Sequence, residues 1–352
     1  MLLDFREVGV NVVAPQTLVV TLENPTHYFL ELTGFYPLYP VNRRCVERYG
    51  SPQWTYPENI VCNGAFVPQF RHIRERTRLR KNDQYWNRDE ILLNTVDVLA
   101  TESVTTALNL YLTGKADWIY DQPAPAMREL LRREPPRADL NPQPVLYTYF
   151  YLLNTTRKPL DDVRVRRALS LALNRQEITE KILAAGELPA RSLVPPGMPN
   201  YERQFCSPED PDRARELLAQ AGYPGGRGFP SLDILYNPHE QHPMIAEVVR
   251  KQWLRELGIN VKGRNEEWAS YLSSTHQMQY NMARKGWVAD YADPDTFLNM
   301  FVTDGEENNT GWSNSDYDAL IAAAGREPDA QKRRAMPEQA EAILMDEMPI
   351  IP

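Results

Sequence analysis

Apolar and polar positions follow two rhythms along the chain, and the change between them outlines the architecture. The first part favours strands. Thr17-Leu18-Val19-Val20-Thr21-Leu22 is rich in β-branched residues and predicts a strand. Pro25 and the aromatics Tyr28, Phe29, Phe35, Tyr36 and Tyr39 then mark a turn-rich segment. From Arg71 to Arg80, basic residues alternate with Ile73, Thr77 and Leu79, as in a β-hairpin with one solvated face. Thr95-Val96-Asp97-Val98-Leu99 predicts another strand, and Glu102 to Thr113 a helix closed by Gly114. Asp117-Trp118-Ile119-Tyr120 reads as a short returning strand. Pro123 to Pro144 is rich in proline and charge, with room for one helix at Ala126 to Arg133.

The pattern changes at Val145-Leu146-Tyr147-Thr148-Tyr149-Phe150-Tyr151-Leu152-Leu153-Asn154. This aromatic run fits a core strand buried on both faces. The expected domain boundary lies here, with a first lobe over 1–146 and a second α/β lobe over 147–352. Helical spacing dominates beyond it. Asp161 and Asp162 precede a helix from Val163 to Asn174, with Val165, Ala168, Leu169, Ala172 and Leu173 on one face. A second helix covers Arg175 to Ala185. A third opens at Asp210-Pro211 and stops before Gly222. The strand Leu232–Tyr236, the helix Met244–Leu257 and the strand Ile259–Val261 make a βαβ unit, so the sheet is expected to be largely parallel.

Sheets of this kind bind ligands beyond the carbonyl ends of their strands. Three segments follow such ends: Asn237 to His242, Glu266-Glu267-Trp268, and Lys285 to Asp290. The last belongs to Arg284-Lys285-Gly286-Trp287-Val288-Ala289-Asp290-Tyr291-Ala292-Asp293-Pro294, expected to follow a strand that ends at Ala283. Its Asp-Pro step enforces a turn. A carboxylate beside apolar walls and open backbone suits a cleft that recognises a cationic amine.

Composition narrows the function. The 352 residues suffice for two domains, and 42% hydrophobic residues can fill a core. A net charge of -8 argues against a nucleic-acid partner, which needs a basic face. No apolar run reaches the roughly 18 residues of a membrane span. Met1-Leu2-Leu3-Asp4-Phe5-Arg6-Glu7 has no pattern of a signal peptide. The cysteines Cys45, Cys62 and Cys206 form no Cys-x-x-Cys, and a Cys45–Cys62 bridge stays open. There is no Gly-x-Ser-x-Gly elbow, Walker loop or dinucleotide fingerprint; Pro224-Gly225-Gly226-Arg227-Gly228 reads as a linker. His239 and His242 have metal-ligand spacing, but a polar loop before a helix is the preferred reading. For the arginines of 71–80, a solvated face is preferred over a phosphate site. Neither an enzyme activity, a metal nor a cofactor is expected.

Five runs carry a family resemblance. They are Asn63-Gly64-Ala65-Phe66, Leu79-Arg80-Lys81-Asn82-Asp83-Gln84-Tyr85-Trp86-Asn87, Asp162-Val163-Arg164-Val165-Arg166-Arg167-Ala168-Leu169, Ala214-Arg215-Glu216-Leu217-Leu218-Ala219-Gln220-Ala221-Gly222-Tyr223, and the run from Arg284 to Pro294. In this order the chain resembles the oligopeptide-binding proteins of ABC importers, extracellular solute-binding protein family 5. The resemblance implies an α/β, two-lobed, periplasmic-binding-protein-like fold of type II and the peptide-binding class. Relatives carry segments before the counterpart of Gly9 and after that of Pro352, so the chain reads as an interior piece with an incomplete first lobe. Asp290 resembles the partner of a ligand α-ammonium. Gly286 and Val288 resemble backbone partners of an extended peptide. Trp268 and Trp287 resemble pocket walls, Arg284 and His242 cationic partners of a ligand carboxylate, and Asn237 and Phe150 further cleft positions. A disulfide found in some members would join positions held here by Tyr147 and Val288, and one cationic position is Thr275. The implied partners are short peptides and the permease subunits of a transporter. The protein would act as a periplasmic monomer. The alternatives are a sensory or regulatory protein on the same fold, and a non-functional truncated paralogue.

Overall fold

The computed structural model describes residues 8–135, 137–143, 145–199, 201 and 209–352. Cys206 lies outside the described residues. Ten strands run in chain order among them: β1 Val10–Ala14, β2 Thr17–Val20, β3 Phe66–His72, β4 Arg76–Lys81, β5 Thr95–Leu99, β6 Tyr147–Leu153, β7 Leu232–Tyr236, β8 Val261–Asn265, β9 Met282–Val288 and β10 Ile350–Ile351. The chain divides into two compact units. One joins the described residues up to Leu32 with Arg128–Pro352; the other is Thr33–Met127. A boundary at 146/147 falls inside the first unit.

The unit Thr33–Met127 holds an antiparallel sheet in the order β3-β4-β5. The hairpin expected from the alternating arginines is β3–β4. Arg78 makes a two-pronged contact with Asp97 at 2.7 Å and 2.7 Å across to β5, so the basic face is partly neutralised within the sheet. Ser103 caps the helix Val104–Leu112 by accepting from the Thr106 amide. The expected strand at 117–120 does not form; Trp118 and Tyr120 are exposed and pair with no strand. Cys45 and Cys62 are free thiols, and Cys45 donates to the Asn59 carbonyl, so the bridge the sequence allowed is absent.

The larger unit is built on a five-stranded sheet in the order β10-β6-β9-β7-β8. β7 pairs in parallel with β8 and β9, while β6 runs antiparallel to both β9 and β10. The sheet is therefore mixed, with β6 alone reversed. Phe150, Tyr151, Leu152 and Leu153 are all buried, which explains why β6 reads as aromatic and apolar on both faces. β8 runs Val-Lys-Gly-Arg-Asn at the sheet edge, exposed but for Val261 and half-buried Arg264; it carries little hydrophobic signal and is longer than expected. The helix Gln241–Leu257 crosses from β7 to β8 and buries Ile245, Ala246, Val249, Trp253 and Leu257. It ends at Gly258, whose φ of 70° is readily adopted only by glycine.

Two predicted caps are present. The Asp162 side chain accepts from the Arg164 amide, and Asp210 from the Arg213 amide, with Pro211 opening its helix. The first of these helices is shorter than expected, Val163–Leu171, and the next is a single π-helical segment, Glu177–Leu183. A separate hairpin, β1–β2, leaves Val12, Val13 and Leu18 exposed.

Candidate ligand-binding site

Parallel strands β7, β8 and β9 bring their carbonyl ends to one edge, as the sequence predicts. One detail differs. β9 does not stop before the aromatic run but passes through it to Val288. Gly286 therefore lies within a strand. A Cβ there would sit 2.1 Å from the Tyr147 hydroxyl, so the glycine is what lets that ring cross β9.

The pairing of β9 is lopsided. β6 runs beside it all the way, from Leu153 opposite Met282 to Tyr147 opposite Val288. β7 reaches only Ala283. The Ala289 amide donates to the Leu146 carbonyl, which sets the phase of the ladder. In an antiparallel pair alternate residues exchange both bonds, so Trp287 and Lys285 turn their backbone groups toward β6. Gly286 and Val288 turn theirs the other way. Among the described residues no strand pairs with them on that side. This is a short open strand edge.

Side chains on the two faces of this strand do different things, because direction alternates along it. Arg284, Gly286 and Val288 share one face with Tyr147, Tyr149 and Tyr151 of β6. On that face the Arg284 guanidinium donates to the Tyr147 hydroxyl at 3.1 Å and to Asn237 Oδ1 at 3.4 Å. It also lies 5.1 Å from the centre of the Tyr149 ring. Among the described residues no carboxylate lies within 4.0 Å of it. The Tyr271 hydroxyl donates to the Arg284 carbonyl, and Trp268 stacks on Tyr271 with ring centres 5.5 Å apart. Trp268 itself is half exposed.

His242 is buried in the first turn of the helix Gln241–Leu257, 5.7 Å from the Tyr149 ring and stacked on His239. Burial, then Arg284, then His239 push its imidazole down to about 3. It is therefore neutral at ordinary pH, which corrects its expected role as a standing cation. Its Nδ1 has no hydrogen-bond partner among the described residues. Between about pH 3 and the usual value near 6.5, the unfolded chain holds a proton that the folded one refuses. Stability linked to His242 is thus full above that window and lost as pH falls through it, with a slope of up to about 1.4 kcal/mol per pH unit. Denaturant unfolding of the parent and His242→Gln at several pH values checks this. The parent's advantage should shrink as pH drops; a difference independent of pH contradicts it.

The opposite face is core. Phe150 is fully buried and meets Phe301 with ring centres 6.2 Å apart, so it is a packing residue and not a cleft position. Trp287 is half-buried on this face, its indole N–H 3.5 Å from the Thr296 hydroxyl. The same hydroxyl accepts from the Asp290 amide at 3.1 Å. Asp290 is exposed just past the end of β9. Partial burial and the nearby Glu307 raise its carboxyl above the ordinary range.

The turn behind Asp290 is tightly held by residues that sequence spacing could not reveal. Asp295 accepts from the Tyr28 and Tyr291 hydroxyls, each at 2.9 Å, and those two rings stack 4.4 Å apart. Arg333 grips Asp293 with bonds of 2.6 Å and 2.8 Å. Both side chains of that ion pair are nearly buried. Tyr291 is a near neighbour of Asp295 in the chain, but Tyr28 lies 267 residues from Asp295 and Arg333 lies 40 from Asp293, so only the fold brings those two in. Among the described residues no group of three metal ligands gathers, at His239 and His242 or elsewhere.

The description "Bacterial extracellular solute-binding proteins, family 5 Middle" matches residues 3–309. The chain belongs to this family. The periplasmic oligopeptide-binding protein OppA of Salmonella typhimurium is 35% identical over 98% of this chain and 64% of its own length. The probable deoxycholate-binding periplasmic protein YgiS of Escherichia coli is also 35% identical, over 99% of this chain and 65% of its own length. The family 5 chain thus spans less than two thirds of these curated relatives. A crystal structure of a periplasmic oligopeptide-binding protein from Borrelia burgdorferi superposes with a TM-score of 0.90 at 36% identity, covering 99% of this chain and 69% of that one. The fold is accordingly the α/β fold of the peptide-binding class of periplasmic binding proteins. The relatives are solute-binding proteins and not enzymes. No helix among the described residues is long and apolar enough to cross a membrane.

Proposed function

We propose that this chain receives short peptides for an ABC importer. The observation that carries the reading is the open edge at Gly286 and Val288. An extended peptide laid along it continues the sheet where β7 stops, and pairs its own backbone with those two residues. End charges fit the same placement. Asp290 lies beyond one end of the edge and takes the α-ammonium; Arg284 lies at the other and takes the carboxylate. The peptide then runs antiparallel to β9. Trp268 and Trp287 supply apolar walls, Asn237 and neutral His242 supply polar neighbours, and bridging water accommodates different side chains. Main-chain bonds and end charges are common to all peptides, so the site favours a class of ligand over one sequence.

A bile acid, suggested by the YgiS likeness, has no amides to pair with a strand edge, and the edge favours a peptide over it. The permease subunits of the transporter are the further partners of the reading, with the protein acting as a periplasmic monomer. Amide hydrogen exchange at Gly286 and Val288 tests it. A bound peptide slows both amides; saturation with peptide that leaves both unchanged sinks the proposal.

A further inference from the structure

We infer that Tyr147 is a specificity residue of this site, its hydroxyl acting with Arg284 to hold the ligand carboxylate. The inference rests on the peptide-receptor reading and adds to it a residue outside the aromatic run of β9. Three observations carry it. First, the side-chain partners of the Arg284 guanidinium among the described residues are neutral: the Tyr147 hydroxyl, the Asn237 side-chain oxygen and the Tyr149 ring. A guanidinium in that state has unused capacity for a carboxylate, which it binds best with its planar fork. Second, the Tyr147 oxygen accepts from Arg284 at 3.1 Å, while its own proton has no acceptor among the described residues. A phenol in this position offers a free donor directly beside the guanidinium. Third, the site is built to put it there. Tyr147 stands opposite Val288 in the ladder, and its ring crosses β9 over Gly286, where any Cβ would strike the hydroxyl.

A carboxylate arriving at Arg284 then meets two kinds of donor. One oxygen takes the guanidinium N–H groups and the other takes the Tyr147 O–H. No proton changes hands. The hydroxyl adds a directed bond without adding charge. A C-terminal amide has a weaker acceptor and brings two N–H donors toward the guanidinium and phenol donors. Tyr147 therefore sharpens the distinction between a free and a blocked carboxyl end.

The experiment is calorimetric titration of the full chain and of Tyr147→Phe with trialanine and with trialanine amide. Phenylalanine keeps the ring over Gly286 and removes only the hydroxyl, and circular dichroism checks that the fold is retained. The parent should prefer the acid to the amide. A lost hydrogen bond to a charged group is worth roughly tenfold in affinity, so that preference should fall by about tenfold in Tyr147→Phe. An acid-to-amide ratio equal to the parent's overturns the role of Tyr147 and leaves the receptor reading standing. A parent that binds both peptides equally shows that the carboxylate is not read at all and overturns the inference. A parent that binds neither overturns the receptor reading and the inference with it.

Discussion

Trp253→Ala should lower the unfolding free energy of the larger unit by about 3–5 kcal/mol. Trp253 is fully buried on the inner side of the helix Gln241–Leu257, the crossover that fixes β7 against β8. Its indole N–H donates to the Leu169 carbonyl at 2.8 Å, tying that helix to the one at Val163–Leu171. Alanine removes the ring, opens a cavity and breaks the bond. Trp253→Phe keeps most of the packing and loses the N–H, so its loss should be smaller, about 1–3 kcal/mol. Denaturant midpoints for parent, Phe and Ala variants should fall in that order. An alanine variant within about 1 kcal/mol of the parent would mean that the crossover helix does not hold the sheet together.

The second large effect concerns ligand. Asp290→Asn should weaken binding of a free-amino peptide by about 2 kcal/mol, or roughly 30-fold. The substitution keeps shape and some hydrogen bonding, so the loss belongs at the low end for a truncated charge pair. The Thr296 hydroxyl bonds the Asp290 backbone and not its carboxylate, so the turn should survive the change. N-acetylation of the peptide removes the ammonium. The acetylated peptide should therefore bind poorly to the parent and respond little to Asp290→Asn. Partial burial and Glu307 raise the Asp290 carboxyl, so it protonates at higher pH than an ordinary aspartate. Affinity for the free peptide should decline correspondingly early on acidification. Equal affinity of the parent for free and acetylated peptide would remove Asp290 from the site.

Much of this architecture is legible in the sequence, for identifiable reasons. Caps at Asp162 and Asp210 carry local signals, and the helix faces behind them repeat at 3.6 residues. The three converging strand ends follow from βαβ spacing. Other features were hidden. β8 is a polar edge strand, so hydrophobic alternation says little about its extent. The strand expected to end at Ala283 continues through Gly286, where the glycine serves a close crossing by the Tyr147 ring. In β6 aromatics stand at four of seven positions and fall on both faces, so the pattern does not say which of them line the core. Phe150 went to the core, and its neighbours Tyr149 and Tyr151 to the face of Arg284. The state of His242 was also beyond sequence, because burial and Arg284 decide it. Tyr28 and Arg333 join the site's support only through tertiary contacts.

The central claim is that a peptide adds itself as a strand to the open side of β9, and amide exchange reads that event at the atoms concerned. In the free protein the amides of Gly286 and Val288 face the side that no strand among the described residues covers, whereas those of Lys285 and Trp287 face β6. The free protein should therefore exchange Gly286 and Val288 quickly and Lys285 and Trp287 slowly. Saturation with trialanine should slow Gly286 and Val288 and leave the other two as they were. Protection that spares Gly286 and Val288 while the peptide is demonstrably bound would contradict the account.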